Sequence, residues 1–212
     1  MRRLPPRESA GGGDRGQAHT LEAVIGALLL LTSVLFALQS TAVTPLSAST
    51  SSQHIENQQQ ERAQGLLAAA AENGTLKPAV LYYNETAERF HEADGERGEY
   101  TGARPNVTFA QMLNRTFTSQ GIAYNVNFEY QTANGTGTNT QQFIYNGVPS
   151  DNAVSASWTI VLDDDDELYT VQGSPDSSAP IGDSGTDFYI PDTSSDTDLY
   201  NVVRVEVVVW RV

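Results

Sequence analysis

The sequence predicts an α+β fold in which one long N-terminal membrane helix and a few short helices precede an antiparallel β-sheet. Three observations lead to this fold class. A single run of apolar residues occupies residues 23–38, helix-forming patterns follow as far as about residue 120, and apolar and polar residues alternate beyond it. A chain of 212 residues with one apolar segment has room for one modest domain behind an anchor or a signal.

The first forty residues predict a tail followed by a marginal membrane span. Residues 1–18 contain four arginines, two adjacent prolines and three adjacent glycines, a composition that does not form a packed structure. Residues 23–38 form a helix of roughly 24 Å if they are helical throughout, which is short of the roughly 30 Å hydrocarbon core of a bilayer. Leu21 and residues 40–43 are needed to complete the span.

The residues in and around this run are compatible with insertion and predict its direction. Thr32 and Ser33 are the polar residues of the run, and each is able to bond back to the helix carbonyl four residues earlier. Arginines precede the run, and no cation follows it before Arg62. The positive-inside rule therefore places the N-terminus in the cytoplasm and the later residues outside the cell.

Three helical patterns follow the tail. Residues 47–73 are rich in glutamine and then in alanine and stop at an Asn-Gly pair, so we expect them to continue the membrane helix outward. A second helix is predicted from Pro78, taken as its first residue, to a stop near Asp94. A third, short helix is predicted from Thr108, where Thr108 and Gln111 match a capping box.

The remaining chain has the period of β-strands. Residues 122–130 and 154–162 alternate between apolar and polar or small residues, and a Gly- and Asn-rich turn at 133–138 leads into a strand at 141–145. A short strand is predicted at 168–171, and the Ser-, Asp-, Gly- and Pro-rich residues 174–186 predict a long exposed or disordered loop. The last strand, 202–212, is rich in valine on both faces and is predicted to lie in the interior of the sheet.

The composition excludes several classes of protein. The net charge is −14, with 26 acidic residues against 12 lysines and arginines, and Lys77 is the only lysine. Nucleic-acid binding needs a basic surface, so we expect no nucleic-acid partner. The absence of cysteine excludes disulfides, thiolate metal sites and a lipid-modified cysteine. In composition, this acidic and lysine-poor chain resembles proteins of salt-loving archaea, in which dissolved salt screens the repulsion between carboxylates.

Five Asn-X-Thr sequons lie on the predicted outer side of the membrane. Their asparagines, which are candidates for N-glycosylation, are Asn73, Asn84, Asn106, Asn114 and Asn134. The alternative is that a chain so rich in asparagine and threonine contains such triplets by chance. Together the sequons support an extracellular position for the C-terminal domain and an expected glycoprotein.

The start of the chain resembles a known class of leader. Arg15-Gly16-Gln17, a short polar spacer, Glu22 and the aliphatic helix are similar to the class III signal peptide of type IV pilins and archaeal pilin-like proteins, and the first sixty residues resemble an uncharacterised pilin-like family of haloarchaea. The resemblance implies that a prepilin peptidase cuts after Gly16 and makes Gln17 the new N-terminus. It also implies that Glu22 pairs with the terminal amine of a neighbouring subunit, although Glu22 is sixth rather than fifth after the cut.

With this resemblance, the chain divides into four parts. They are a leader at 1–16, a transmembrane or assembly helix at 17–43, an extracytoplasmic helical region at 44–120 and a β-sheet region at 121–212 with a loop near 173–187. The predicted function is that of a pilin-like subunit of a type IV pilus or a related structure, anchored in the cell membrane by a single span. Its expected partners are the membrane, the peptidase and other copies of itself or other pilin-like subunits.

Two alternatives to this processing stay open. An ordinary secretory signal, with small-residue cleavage sites at 40–42 or 46–48, releases the domain as a secreted binding protein or enzyme. An uncut signal anchor keeps it on the membrane as a monomeric binding domain.

The sequence predicts no enzyme and no cofactor. The histidines His19, His54 and His91 are scattered and have no metal-binding spacing. The acidic run at 163–167 lacks the alternating ligands and turn glycine of an EF-hand loop, so we expect a solvated hairpin tip there. No serine lies in a Gly-x-Ser-x-Gly motif, and no phosphate-binding loop follows a strand.

Overall fold

The computed structural model describes the backbone of residues 13–211 and the side-chain surroundings of residues 19–39 and 53–211. The predicted tail up to residue 12 and the last residue of the final strand lie outside this description. The chain divides into two compact units, Met1–Gln53 and His54–Val212. Helix α1, Gly13–Glu72, contributes residues to both.

Within the second unit, α1 ends in a glycine-based cap, as the sequence predicts. Gly74 has a φ of 64°, in the left-handed region. Its N–H donates to the carbonyl of Ala71 at 3.0 Å, and the N–H of Thr75 donates to that of Ala70 at 2.8 Å. These two bonds form a Schellman motif, which satisfies carbonyls that the helix end leaves without partners.

The second predicted helix is wrong beyond residue 80. Helix α2 covers Leu76–Val80, so Pro78 is its third residue rather than its first, and a hairpin of strands β1, Tyr83–Asn84, and β2, Arg89–Phe90, follows it. The predicted helix would need one exposed face, but this stretch is buried on more than one side. Val80, Leu81 and Tyr82 are all buried in succession, which an amphipathic surface helix does not allow.

The third predicted helix is confirmed, but its predicted cap is wrong. Helix α3 covers Thr108–Thr116 and buries Phe109, Ala110 and Leu113. The residue before the helix is the extended Val107, and no side chain caps the helix. The N–H of Gln111 donates instead to the carbonyl of Val107 at 3.3 Å. A short 3-10 turn, Thr118–Gln120, leads from α3 into the sheet.

The main sheet confirms the antiparallel arrangement expected from the alternating pattern. Its strands are β3, Ile122–Gln131; β4, Thr138–Ile144; β5, Val154–Asp163; and β8, Leu199–Arg211. The order is β4-β3-β8-β5, so the valine-rich β8 lies in the interior, as predicted. All neighbouring strands are antiparallel.

A small second pairing corrects the predicted loop at 174–186. Strands β6, Glu167–Tyr169, and β7, Pro175–Pro180, form a two-stranded antiparallel sheet. Ala179 and Ile181 are buried, so this polar stretch does have apolar side chains to bury. The other residues of β7 have mainly polar side chains, and backbone pairing with β6 holds this strand in place.

One face of the main sheet carries the core of the second unit. Val203, Val205, Val207 and Val209 of β8 are fully buried, and the C-terminal part of α1 adds a buried stripe at helical spacing. The residues of this stripe are Ala63, Leu66, Leu67 and Ala70. An aromatic cluster extends the core, and its central ring, Phe90, lies 4.9 Å from the ring of Phe143. The hairpin that replaces the predicted helix is what places Phe90 there.

Candidate membrane and assembly segment

The part of α1 from His19 to Gln39 is the most apolar helix in the described structure. It has a mean hydropathy of 2.3 over its best window, and none of that window is buried. Its 21 residues span roughly 32 Å at 1.5 Å per residue, which matches the hydrocarbon core of a bilayer. By length and composition it is able to cross a membrane or to act as a signal sequence. The exposed large apolar side chains are those of Leu21, Val24, Ile25, Leu28, Leu29, Leu30, Leu31, Val34, Leu35, Phe36 and Leu38.

The two hydroxyl groups of this segment are satisfied inside the helix. Thr32 Oγ1 donates to the carbonyls of Leu28 at 2.9 Å and Leu29 at 3.0 Å. Ser33 Oγ donates to the carbonyl of Leu30 at 3.1 Å, three residues back rather than the predicted four. Neither hydroxyl therefore needs water, and the polar cost of placing the segment in an apolar phase is small.

Glu22 lies near the N-terminal end of the apolar segment, next to His19. One Glu22 carboxylate oxygen lies 3.8 Å from Nδ1 of His19, one helical turn earlier. Both side chains are more than four-fifths exposed, so the pair contributes little to stability even when the imidazole is protonated. The three-residue spacing of the two on a helix was the signal available in the sequence.

Gly16 and Gln17, the residues of the expected cleavage point, lie near the start of α1. The five sequons all lie in the second unit. Four of the asparagines are exposed and Asn84 is half-buried. Asn73 directly follows α1, Asn84 ends β1, Asn106 precedes α3, Asn114 lies within α3 and Asn134 lies in the turn between β3 and β4.

Comparison with known proteins gives a family without a known activity. A family model matches residues 15–209, which is most of the chain. The chain belongs to DUF7288, a family of unknown function. No curated protein matches the chain, and no solved structure matches it. The DUF7288 match begins one residue before Gly16 and ends within β8, so the family pattern includes the apolar segment as well as the sheet.

The acidic run of this DUF7288 chain is less solvated than the sequence predicts. Lys77 Nζ lies 2.7 Å from one carboxylate oxygen of Asp166 and 3.5 Å from one of Asp163. Asp164 is half-buried, and its Oδ1 has no hydrogen-bond partner among the described residues. Burial and the nearby carboxylates, Asp192 first, raise the pKa of Asp164. The described residues contain no group of three acidic, histidine or cysteine side chains able to hold a metal ion.

The second unit has two clefts on the surface near the β6–β7 pair. A cleft of about 470 Å³ between the start of α3 and the β6–β7 turn is lined mainly by hydroxyl, amide and proline groups, without a carboxylate, imidazole or amine. A second, of about 280 Å³, includes His91, whose Nε2 lies 2.7 Å from the carbonyl oxygen of Tyr169. The ring of His91 also packs on Tyr82, with 4.9 Å between centroids. These contacts give His91 a structural role in this DUF7288 chain.

Proposed function

We propose that this protein is a non-enzymatic, pilin-like subunit of the cell surface that is anchored, and then assembled, through its N-terminal apolar helix. In this proposal a prepilin-type peptidase cuts after Gly16, and the exposed apolar segment packs first in the membrane and then against the same segment of other subunits. The acidic C-terminal domain faces the outside of the cell.

The observation that carries the proposal is that no residue in the apolar window of the segment His19–Gln39 is buried. Soluble monomers rarely expose continuous apolar patches larger than a few hundred Å², so a surface of eleven large exposed apolar side chains needs a lipid or protein partner. Glu22 supports assembly rather than simple anchoring. A carboxylate at the edge of an apolar phase is costly without a cation, and the amine of a cleaved neighbour is able to supply one.

A second candidate function follows from the same segment. If an ordinary signal peptidase removes it, or if no peptidase cuts, the protein is a secreted or membrane-tethered monomeric binding domain. Strand β5 lies at an edge of the main sheet, and an open strand edge is able to pair with another chain, which is compatible with such a domain.

The N-terminus of the mature protein distinguishes these functions. Mass spectrometry of the protein purified from membranes is expected to find a start at Gln17. A start beyond Ala42 would establish secretion, and an uncut chain would establish a plain anchor. The variant Gly16→Val is expected to retain the leader. Gly26→Val is the matched control, because a side chain at Gly26 meets no atom within 4 Å, and it should be processed normally.

Assembly is tested by cysteine crosslinking, which has no background because the chain has no cysteine. Leu29 and Leu35 lie on different sides of the exposed helix, so a variant with cysteine at both positions is expected to give a ladder of oligomers on oxidation in membranes. The same double variant carrying Gly16→Val should give no ladder. Monomers and dimers alone in the processed protein would exclude a filament subunit.

A further inference from the structure

The five sequons differ in the hydrogen bonds that the asparagine carboxamide makes in the folded domain. N-glycosylation joins the side-chain Nδ2 of asparagine to a sugar, so this nitrogen has to be exposed and free of other acceptors. The sequon also has to enter the cleft of a transferase, which a turn at the surface does more easily than a helix or a chain held flat on the domain. These requirements separate one sequon from the other four.

Asn134 meets them in the turn between β3 and β4. Its Oδ1 accepts hydrogen bonds from the N–H of Thr136 at 3.2 Å, from Thr136 Oγ1 at 2.8 Å and from Thr132 Oγ1 at 2.8 Å. Because a backbone N–H is a donor only, the atom that it meets is the oxygen, and Nδ2 points away from these contacts. Among the described residues Nδ2 of Asn134 has no hydrogen-bond partner, and the side chain is exposed.

Backbone hydrogen bonds within the turn fix the position of Asn134 and Thr136. Gly135 has a φ of 63°, which glycine adopts without strain, and its N–H donates to the carbonyl of Thr132 at 2.7 Å. The N–H of Thr132 donates to the carbonyl of Gly137 at 3.0 Å, which closes the hairpin. The hydroxyl of the sequon threonine is therefore held against the asparagine that it accompanies, at the tip of a protruding turn.

In two of the other sequons, a helix either binds the asparagine amide and the threonine hydroxyl or keeps these two side chains apart. Nδ2 of Asn73 donates to the carbonyl of Ala69 at 2.8 Å, and the sequon hydroxyl of Thr75 donates to the carbonyl of Ala70 at 3.0 Å. Asn114 lies within α3, where a residue and the second one after it do not face each other, so the hydroxyl of Thr116 cannot approach its carboxamide.

The last two sequons lie closer to the body of the domain. Asn84 is half-buried, and its Oδ1 accepts the N–H of Ala87 at 3.1 Å rather than the hydroxyl of the sequon threonine. Asn106 is exposed, but its two chain neighbours, Pro105 and Val107, are both buried, which holds the backbone flat against the domain.

We infer that Asn134 is the principal N-glycosylation site of the folded domain. The donor is an oligosaccharide linked through phosphate to a lipid. A bond forms between Nδ2 and the anomeric carbon of the sugar, the bond from that carbon to the phosphate oxygen breaks, and the lipid phosphate leaves with the electron pair. A base of the transferase accepts the proton lost from Nδ2. Modification in the cell rests on the export of the domain in the proposed function.

The test uses the purified full chain in detergent, incubated with a single-subunit oligosaccharyltransferase and a polyprenyl-phosphate-linked oligosaccharide. Peptide mass spectrometry measures the occupancy of each sequon. Breaking the Nδ2 hydrogen bond of Asn73 costs on the order of 1 kcal/mol, so the initial rate at Asn134 is expected to exceed that at Asn73 by about fivefold. Equal rates at the two sites, or an unmodified Asn134, would overturn the inference.

Two controls show that the fold, rather than the sequon sequence, sets the preference. Thr132→Val leaves the sequon unchanged but removes the hydroxyl that donates to Oδ1 of Asn134 at 2.8 Å and that also bonds to the backbone of Gly137. This loss of the turn's hydrogen bonds is expected to slow modification of Asn134 severalfold. Thr138→Val, in the same hairpin, should leave the rate unchanged. Synthetic peptides of the two sequons should react at similar rates, and a preference of about fivefold for the Asn134 peptide would refute the structural explanation. The assay needs no export, so its failure is distinct from a failure of the proposed processing.

Discussion

Replacing Leu67 by alanine removes three carbons from the core of the second unit, to which the C-terminal part of α1 contributes. The Leu67 side chain is completely buried, and its helix neighbours Ala63 and Ala70 are too small to fill the space that it leaves. Substitutions of this kind cost about 2–5 kcal/mol, with a larger cost where the surroundings are unable to collapse. We expect a loss of about 3 kcal/mol in the free energy of unfolding, which lowers the ratio of folded to unfolded protein by about two orders of magnitude.

The measurement is urea unfolding of the full chain in detergent, followed by tryptophan fluorescence. Both tryptophans of the sequence, Trp158 and Trp210, lie in the main sheet, so the signal reports the second unit alone. The control is the same substitution at Leu29, which is exposed in the apolar segment and should leave the unfolding midpoint of the sheet unchanged. A loss below about 0.5 kcal/mol for Leu67→Ala would show that α1 is not part of this core.

Two further predictions concern single residues of the second unit. Gly74→Ala places a side chain at a φ of 64° and is expected to lower the free energy of unfolding by about 1 kcal/mol in the same urea assay, whereas Gly65→Ala, within α1 and with open space around it, should be neutral or stabilising. The carboxylate of Asp94 accepts the N–H groups of Thr101, Gly102 and Ala103, and these hydrogen bonds, that of Thr101 first, lower its pKa from 3.8 to about 2. Because the folded pKa is the lower one, the ionised group stabilises the fold above about pH 4 and loses this effect as the pH falls toward 2. Because the Asp94 side chain is exposed, solvent screening reduces the effect well below what the pKa shift alone implies, so Asp94→Asn should cost no more than about 1 kcal/mol at pH 7. A cost that stays the same at pH 2.5 would contradict the assignment.

The sheet was the most predictable part of the fold, and the reason lies in its one-sided burial. Alternation between apolar and polar residues identified β3 and β5. For β8 the sequence indicated an interior strand through its valines on both faces, and in the structure its buried valines alternate with exposed or half-buried residues such as Arg204 and Glu206. The end of α1 was also predictable, because an Asn-Gly pair after an alanine-rich helix has a local physical effect on the backbone.

The stretch from 81 to 94 was not predictable from its pattern, because tertiary contacts determine its conformation. Tyr82 donates its hydroxyl proton to the carbonyl of Val171 at 2.8 Å, and Leu81 accepts the N–H of Tyr169 at 2.8 Å. Both partners are more than eighty residues away in the chain, so a local reading of helix periodicity has no access to them. Strand β7 was missed for a similar reason, since its pairing with β6 depends on backbone bonds rather than on apolar side chains.

For the candidate site, composition predicted the apolar segment, because membrane-length hydrophobicity is a property of residue types alone. The contact between His19 and Glu22 could have been predicted from their three-residue spacing on a helix, but only the structure revealed it. The hydrogen bonds of each sequon asparagine were not predictable, because all five sequons match the same Asn-X-Thr pattern. What distinguishes Asn134 from Asn73 is the set of backbone groups that each carboxamide meets after folding.

Lys77 is the only lysine side chain that an amine-reactive dye can label. Burial lowers the pKa of this lysine, but its hydrogen bonds with Asp166 and the charges of Asp166 and Asp163 raise it on balance. The neutral amine is the nucleophile that attacks an amine-reactive dye, so in the native state the label should attach slowly, and it should attach quickly once α2 separates from the acidic turn. Because the sequence has no second lysine, the α-amino group of the chain is the other amine that reacts, and peptide mapping separates the two. The rate of dye attachment at Lys77 then measures local opening between α2 and the acidic turn.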